Sequence, residues 1–130
     1  MDLKKYFELK RGIGVLSTAD FSGRVDAAIY ARPHVVEEAV LAFVMRERLT
    51  YENLKTNPHA VYLFKEEGTG YTGCRLFMTK IRETEDPEEI QKFQRRNMDG
   101  KTDRRRFLVF FRLEKTLPLV GAGEETGLDE

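Results

Sequence analysis

A chain of 130 residues with 41% hydrophobic and 34% charged side chains is long enough to bury one core and too short to divide into two. Such a balance excludes a disordered tail and a membrane-embedded bundle, and a soluble single domain is expected over residues 1–130, with 121–130 a flexible tail. Lys and Arg number 22 and so do Asp and Glu, so no net field draws the chain to nucleic acid or anionic lipid, and any anion site is local.

The longest apolar runs, Ala39 to Met45 and Phe107 to Phe111, fall far short of the roughly 20 residues a membrane span requires. The opening Asp2-Leu3-Lys4-Lys5-Tyr6 has no apolar signal core, which makes the cytoplasm the expected location. Cys74 is the single cysteine and His34 and His59 the only histidines, a set that does not make a zinc site, so no metal is expected.

Taken in chain order, apolar alternation broken by Gly, Pro and Asp predicts six strands and three short helices, an α+β class. Asp2 caps a first helix with Leu3, Tyr6 and Phe7 on one face, ended before Gly12 and Gly14. Strands Ile13 to Ala19 and Arg24 to Val35 flank Phe21-Ser22-Gly23 and pair as a hairpin. In the strand Ala39 to Met45 both faces are apolar, so it is covered twice. Thr50 is the expected N-cap of a second helix that Pro58 ends. Strands His59 to Lys65 and Gly73 to Arg82 follow, and Asp86-Pro87-Glu88-Glu89 starts a third helix that runs to Arg96. Phe107 to Leu113 is the last strand. Neighbouring strands joined by short turns point to a six-stranded antiparallel barrel with helical plugs, because closure removes exposed edges.

One segment has the composition of an anion site. Arg46-Glu47-Arg48-Leu49-Thr50-Tyr51-Glu52-Asn53 sets two arginines before a helix start, where free amide N–H groups, the positive end of the helix dipole and a hydroxyl suit a phosphate monoester. The alternative is an ordinary capped surface helix with solvated arginines. Six strands leave no room for a large ring inside a barrel, so an aromatic cofactor would lie outside, against a surface shared with a second subunit.

The strand Asp26 to Ala31, the strand Leu41 to Met45, and the stretch Arg48 to Pro58 with its Leu-x-x-Asn-Pro ending together resemble the FMN-binding split β-barrel proteins of the pyridoxamine 5'-phosphate oxidase-like superfamily. The resemblance runs from Tyr6 to about Gly121. It implies a six-stranded split barrel, FMN as cofactor, and a homodimer with FMN at its interface. It also implies that Ala28, Ile29 and Tyr30 face the ring, with Phe43 and Val44 on the neighbouring strand, and that Arg46, Arg48, Thr50 and Asn53 hold the phosphate. The family often has lysine or arginine at positions matching Leu49 and Thr50, so Arg46 or Arg48 takes that part. This chain has no tryptophan and ends in an acidic tail, unlike pyridoxamine phosphate oxidases proper, so oxidation of that vitamer is not expected.

Other motifs carry less. Gly68-Thr69-Gly70-Tyr71-Thr72-Gly73 fits G-x-G-x-x-G, but a strand pattern follows where the dinucleotide fold needs a helix, so it is a hairpin connection. Cys74 is expected to be packed and inert, and neither His34 nor His59 to be catalytic. The basic stretch Lys92 to Arg106 lacks the interleaved aromatics of a single-strand binder, and no nucleic-acid partner is expected. The function expected is an FMN-dependent oxidoreductase or electron carrier with a small-molecule redox partner. The alternatives are a non-catalytic flavin-binding or sensing module and, third, a nucleic-acid-binding barrel.

Overall fold

The computed structural model describes residues 2–93 and 105–122. Three helices and seven strands occur there in the order α1 (Leu3–Leu9), β1 (Gly12–Ala19), β2 (Val25–Ile29), β3 (His34–Glu37), β4 (Val40–Arg46), α2 (Leu49–Thr56), β5 (His59–Glu66), β6 (Gly73–Thr84), α3 (Pro87–Lys92) and β7 (Arg106–Pro118). The strands form one antiparallel sheet in the order β2-β1-β5-β6-β7-β4-β3.

Two expectations change here. The single strand Arg24 to Val35 is divided, because Pro33 has no N–H to give a ladder and drives Arg32 before it out of regular pairing. Its first half, β2, pairs with β1 at one edge of the sheet, and its second half, β3, pairs with β4 at the other. The sheet therefore has seven strands rather than six. It curls without closing, since β2 and β3 are not hydrogen-bonded to one another.

Local chemistry explains the joints. Asp2 accepts from the Lys5 amide and Asp86 from the Glu88 amide, so both expected caps form, with Pro87 opening α3. Helix α3 ends at Phe93 as its C-cap, and residues 94–96, to which it was expected to run, lie outside the described residues. In the β1–β2 turn, Asp20 Oδ1 accepts from the amides of Ser22 and Arg24, and Gly23 takes a φ of 92°, which a side chain would oppose.

Inward-pointing residues of the strands gather around one aromatic core. Leu16, Phe43, Tyr62, Phe64, Leu76 and Phe111 are each buried there, and α1 and α2 contribute Phe7, Tyr51 and Leu54. Gly14 makes room for the largest of these: a Cβ at that position would stand 1.8 Å from the Tyr62 hydroxyl oxygen, which instead donates to the Tyr30 carbonyl at 3.1 Å. A second, smaller cluster lies on the outward side of β4 and β7, where Ile90 of α3 packs with Ala42, Leu108 and Phe110. The strand Ala39 to Met45 is thus apolar on both faces because the two clusters sandwich it.

Candidate functional site

Pairing register decides which side of the sheet each residue occupies. On β2, Ala28 lies beside Leu16 and faces inward, whereas Ile29 lies beside Val15 and faces outward with 71% exposure. Tyr30 turns inward again, its ring edge-on to Phe43 at 6.1 Å. Phe43 itself is 2% exposed in the central core, so no ligand on the surface touches its side chain. Val44 points outward into the second cluster, and Arg46, next on that side, stands opposite Arg106 of β7. The residues expected to form one ring-binding wall are therefore spread over both faces.

The residues expected to hold the phosphate converge more closely, with partners of their own. Thr50 does not cap α2; the N-cap is Arg48, whose side chain makes no cap hydrogen bond. Thr50 is instead the second helical residue, 3% exposed, and its hydroxyl donates to Asp26 Oδ2 of β2 at 3.2 Å. Asn53, one turn on and 4% exposed, donates from Nδ2 to Thr18 Oγ1 of β1 at 3.0 Å. Tyr30 reaches the same place. Burial pushes its hydroxyl pKa up, the Asp26 charge adds to the rise, and Thr50 and the Arg48 charge oppose it. Asp26, Tyr30, Arg48 and Thr50 thus form one polar seam between β2 and the start of α2.

Asp26 and Thr18 carry no motif, and both were missed at the sequence level. Their partners sit 24 and 35 positions away in the chain.

A groove of about 1000 Å³ opens on the outward side of the sheet. Ser17 of β1, Ala27 of β2, Val61 of β5 and Phe77 of β6 make its floor, in register Ala27–Ser17–Val61–Phe77. His59, Thr79 and Asp26 stand at its rim, with the His59 Nδ1 3.5 Å from the Thr79 hydroxyl. Arg112 also lines it, ion-paired with Glu114 at 3.1 Å. The sequence signal that would have found this wall is the second set of apolar residues in β1 and β5, namely Val15, Val61 and Leu63, which the inward set Leu16, Tyr62 and Phe64 leaves facing out.

Elsewhere, Cys74 is buried and its thiol pKa is raised to about 11, first by that burial and then by the Glu66 charge, which keeps it protonated at neutral pH. The G-x-G-x-x-G stretch ends at Gly73, the first residue of strand β6, so no helix opens there. Among the described residues no three His, Cys, Asp or Glu side chains gather as a metal site. Also among them, no helix is long and apolar enough to cross a membrane. Most of the basic stretch 92–106 lies outside the described residues.

The fold and site define a class: a half-open antiparallel barrel with its helices at the ends and on one flank, and a broad apolar groove outside. No family model matches the sequence, and no curated protein matches it. Solved structures do. An FMN-binding protein from Syntrophomonas wolfei superposes with a TM-score of 0.72 at 18% identity, over 89% of this chain and 82% of that one. HupZ from Group A Streptococcus gives 0.69 at 11% identity, over 99% and 96%. A protein of the pyridoxinephosphate oxidase family from Clostridium acetobutylicum, related to general stress protein 26, gives 0.67 at 14% identity, over 88% and 83%. The chain has the fold of the pyridoxamine 5'-phosphate oxidase-like, FMN-binding proteins.

FMN has two parts, and the residues present suit them unequally. A groove of this size, floored by Val61, Phe77, Ala27 and Ser17, accommodates a planar three-ring system, with the Ser17 hydroxyl on its floor and His59, Thr79 and Asp26 at its rim. At the start of α2, however, the two buried polar side chains expected to meet a phosphate are already hydrogen-bonded within the chain, and one of them to a carboxylate.

Proposed function

We propose that the protein is a flavin-binding homodimer with a redox role, holding the isoalloxazine ring in the groove over β1, β2, β5 and β6 beneath a second copy of the chain. The observation that carries this reading is the outward apolar wall. Val25, Ile29 and Ile13 are 83%, 71% and 61% exposed along it, and the buried residues of α1 and α2 go to the inner core instead. A contiguous apolar surface of that kind is normally a binding face, and a twofold copy covers such a face with itself. The fold shared with an FMN-binding protein supports the same reading.

Val61 and Phe77 would pack against the ring, and the hydroxyls of Ser17 and Thr79 would meet its polar edge. A bound flavin would supply hydride or electron transfer, while the chain supplies binding, orientation and exclusion of water. FMN is the form the sequence resemblance implies, with Arg46 or Arg48 as the cation for its phosphate. An electron donor and acceptor of small-molecule type fit an open groove whose rim carries His59 and Thr79.

The test is the purified protein itself. Its absorption spectrum, alone and after addition of FMN and of riboflavin, is expected to show bound flavin, and light scattering to give the mass of two chains. Absence of flavin binding under all three conditions overturns the proposal. Bleaching of the bound flavin by NADH or NADPH, with reoxidation by an added acceptor, is expected for the redox role; failure of both donors removes that half.

A further inference from the structure

Register gathers three of the groove's polar side chains into one row. His59 of β5 pairs with Thr79 of β6, and Thr79 with Arg112 of β7, so the three stand side by side on adjacent strands about 5 Å apart. All three line the groove. The row runs alongside the apolar floor, since His59 is two residues from Val61 and Thr79 two from Phe77, a step of about 7 Å along the strands. Imidazole, hydroxyl and guanidinium in line make an edge rich in donors, and among the described residues that line the groove Arg112 is the one lysine or arginine. We infer that this row seats the carboxylate of a small organic molecule bound in the groove, which makes the redox partner of the flavin reading, on which this inference rests, a carboxylate-bearing compound.

Charge decides between anions. Arg112 gives its Nε–H to Glu114 Oε2 at 3.1 Å, and among the described residues its two Nη groups have no partner. They form the end of a fork that can take both oxygens of a carboxylate. Both members of the Arg112–Glu114 pair are about half exposed, so the pair itself is weak and does not close the site. Glu114 still offsets part of the cation. A phosphate dianion would bring two charges to a single, partly compensated guanidinium with a carboxylate beside it, whereas a carboxylate brings one. His59 and the Thr79 hydroxyl, 3.5 Å apart, supply further donors. Asp26, the groove's other carboxylate, is on β2, four strands along the sheet from β7.

Calorimetric titration of the flavin-saturated protein with benzoate, benzamide and phenyl phosphate, which share one ring and differ in charge, decides it. Wild-type protein is expected to bind benzoate about tenfold or more tightly than either of the others. Arg112→Gln is expected to bring benzoate and benzamide within about threefold, and Glu114→Gln to tighten benzoate by about threefold, because it removes the competitor for the guanidinium. A pair that only supported the fold would weaken binding in both variants. Absence of benzoate binding, a preference for benzamide or phenyl phosphate, or an unchanged ratio in Arg112→Gln with native circular dichroism overturns the assignment of the row and leaves the flavin reading standing. Should Arg112→Gln not fold, the wild-type order and the Glu114→Gln shift decide. If the protein takes up no flavin at all, the flavin reading falls and this inference with it.

Discussion

The outward side of the sheet is finished differently in its two halves. Over β4 and β7, Leu108 and Phe110 are buried by Ile90 of α3, with Val36 of β3 and Val40 and Val44 of β4 closing the edge. Over β2, β1, β5 and β6 the same side carries Ile29, Val15, Val61 and Phe77 with nothing of the described chain above them, and the groove lies there. Strand composition is similar in both halves; what differs is the presence of a helix. Apolar alternation on two faces thus shows that a strand needs two covers, while the source of the second cover is set by topology. Where the chain supplies it, the result is core. Where it does not, the wall stays exposed, and the proposed function assigns its cover to a ligand and a second copy.

Substitutions matched across the two halves separate these roles. Phe110→Ala, on the covered half, is expected to lower stability by about 3–5 kcal/mol, because the site is 1% exposed and the Arg82 guanidinium stacked 3.6 Å from its ring loses its support as well. Urea unfolding measures it, and a loss below about 1 kcal/mol would mean that α3 does not seal that flank. Gly14→Ala comes next, at about 1–3 kcal/mol, since the added methyl displaces Tyr62 from the Tyr30 carbonyl inside the barrel. Ile29→Asp, on the open half, is expected to leave monomer stability within about 0.5 kcal/mol while weakening self-association by about 2 kcal/mol, as two copies of the new charge approach one another. Light scattering over a dilution series reads the second effect, and an unchanged dimer would place the interface elsewhere.

The parts of this architecture that were legible in the sequence are those written locally. Asp2 and Asp86-Pro87 announce their helices because a cap acts over three residues. The double covering of Ala39 to Met45 is likewise visible, since its pattern is a property of one strand. Pro33 was visible too, yet alternation on both sides of it disguised a chain that crosses from one edge of the sheet to the other. At the site, Thr50 has the right residue type for a cap, but its hydroxyl goes to Asp26 on a strand brought next to it by the fold. Local composition thus located the seam and misassigned its bonds. The groove belongs to register across four strands, which no single stretch encodes.

The smallest effect expected comes from a charged pair at the inner end of β6, beneath the flank that α3 covers. Glu83 faces inward, opposite Val109 of β7, and receives hydrogen bonds from Lys80 at 2.5 Å and from the Tyr51 hydroxyl. Burial acts to raise its carboxyl pKa, but those two hydrogen bonds and the Lys80 charge outweigh it, so the pKa lies below the ordinary 4.5. A depressed acid pKa contributes stability that is present above the unfolded-state value and is lost as pH falls through the folded-state value. Glu83→Gln is therefore expected to be less stable than wild type at neutral pH by less than about 1 kcal/mol, the pair being partly solvated, and to become equal to it in acid. Urea midpoints of both proteins at neutral pH and well below pH 4.5 measure the difference. A gap that persists in acid would mean that Glu83 acts through the hydrogen-bond geometry of its head group with Lys80 and Tyr51 rather than through its charge.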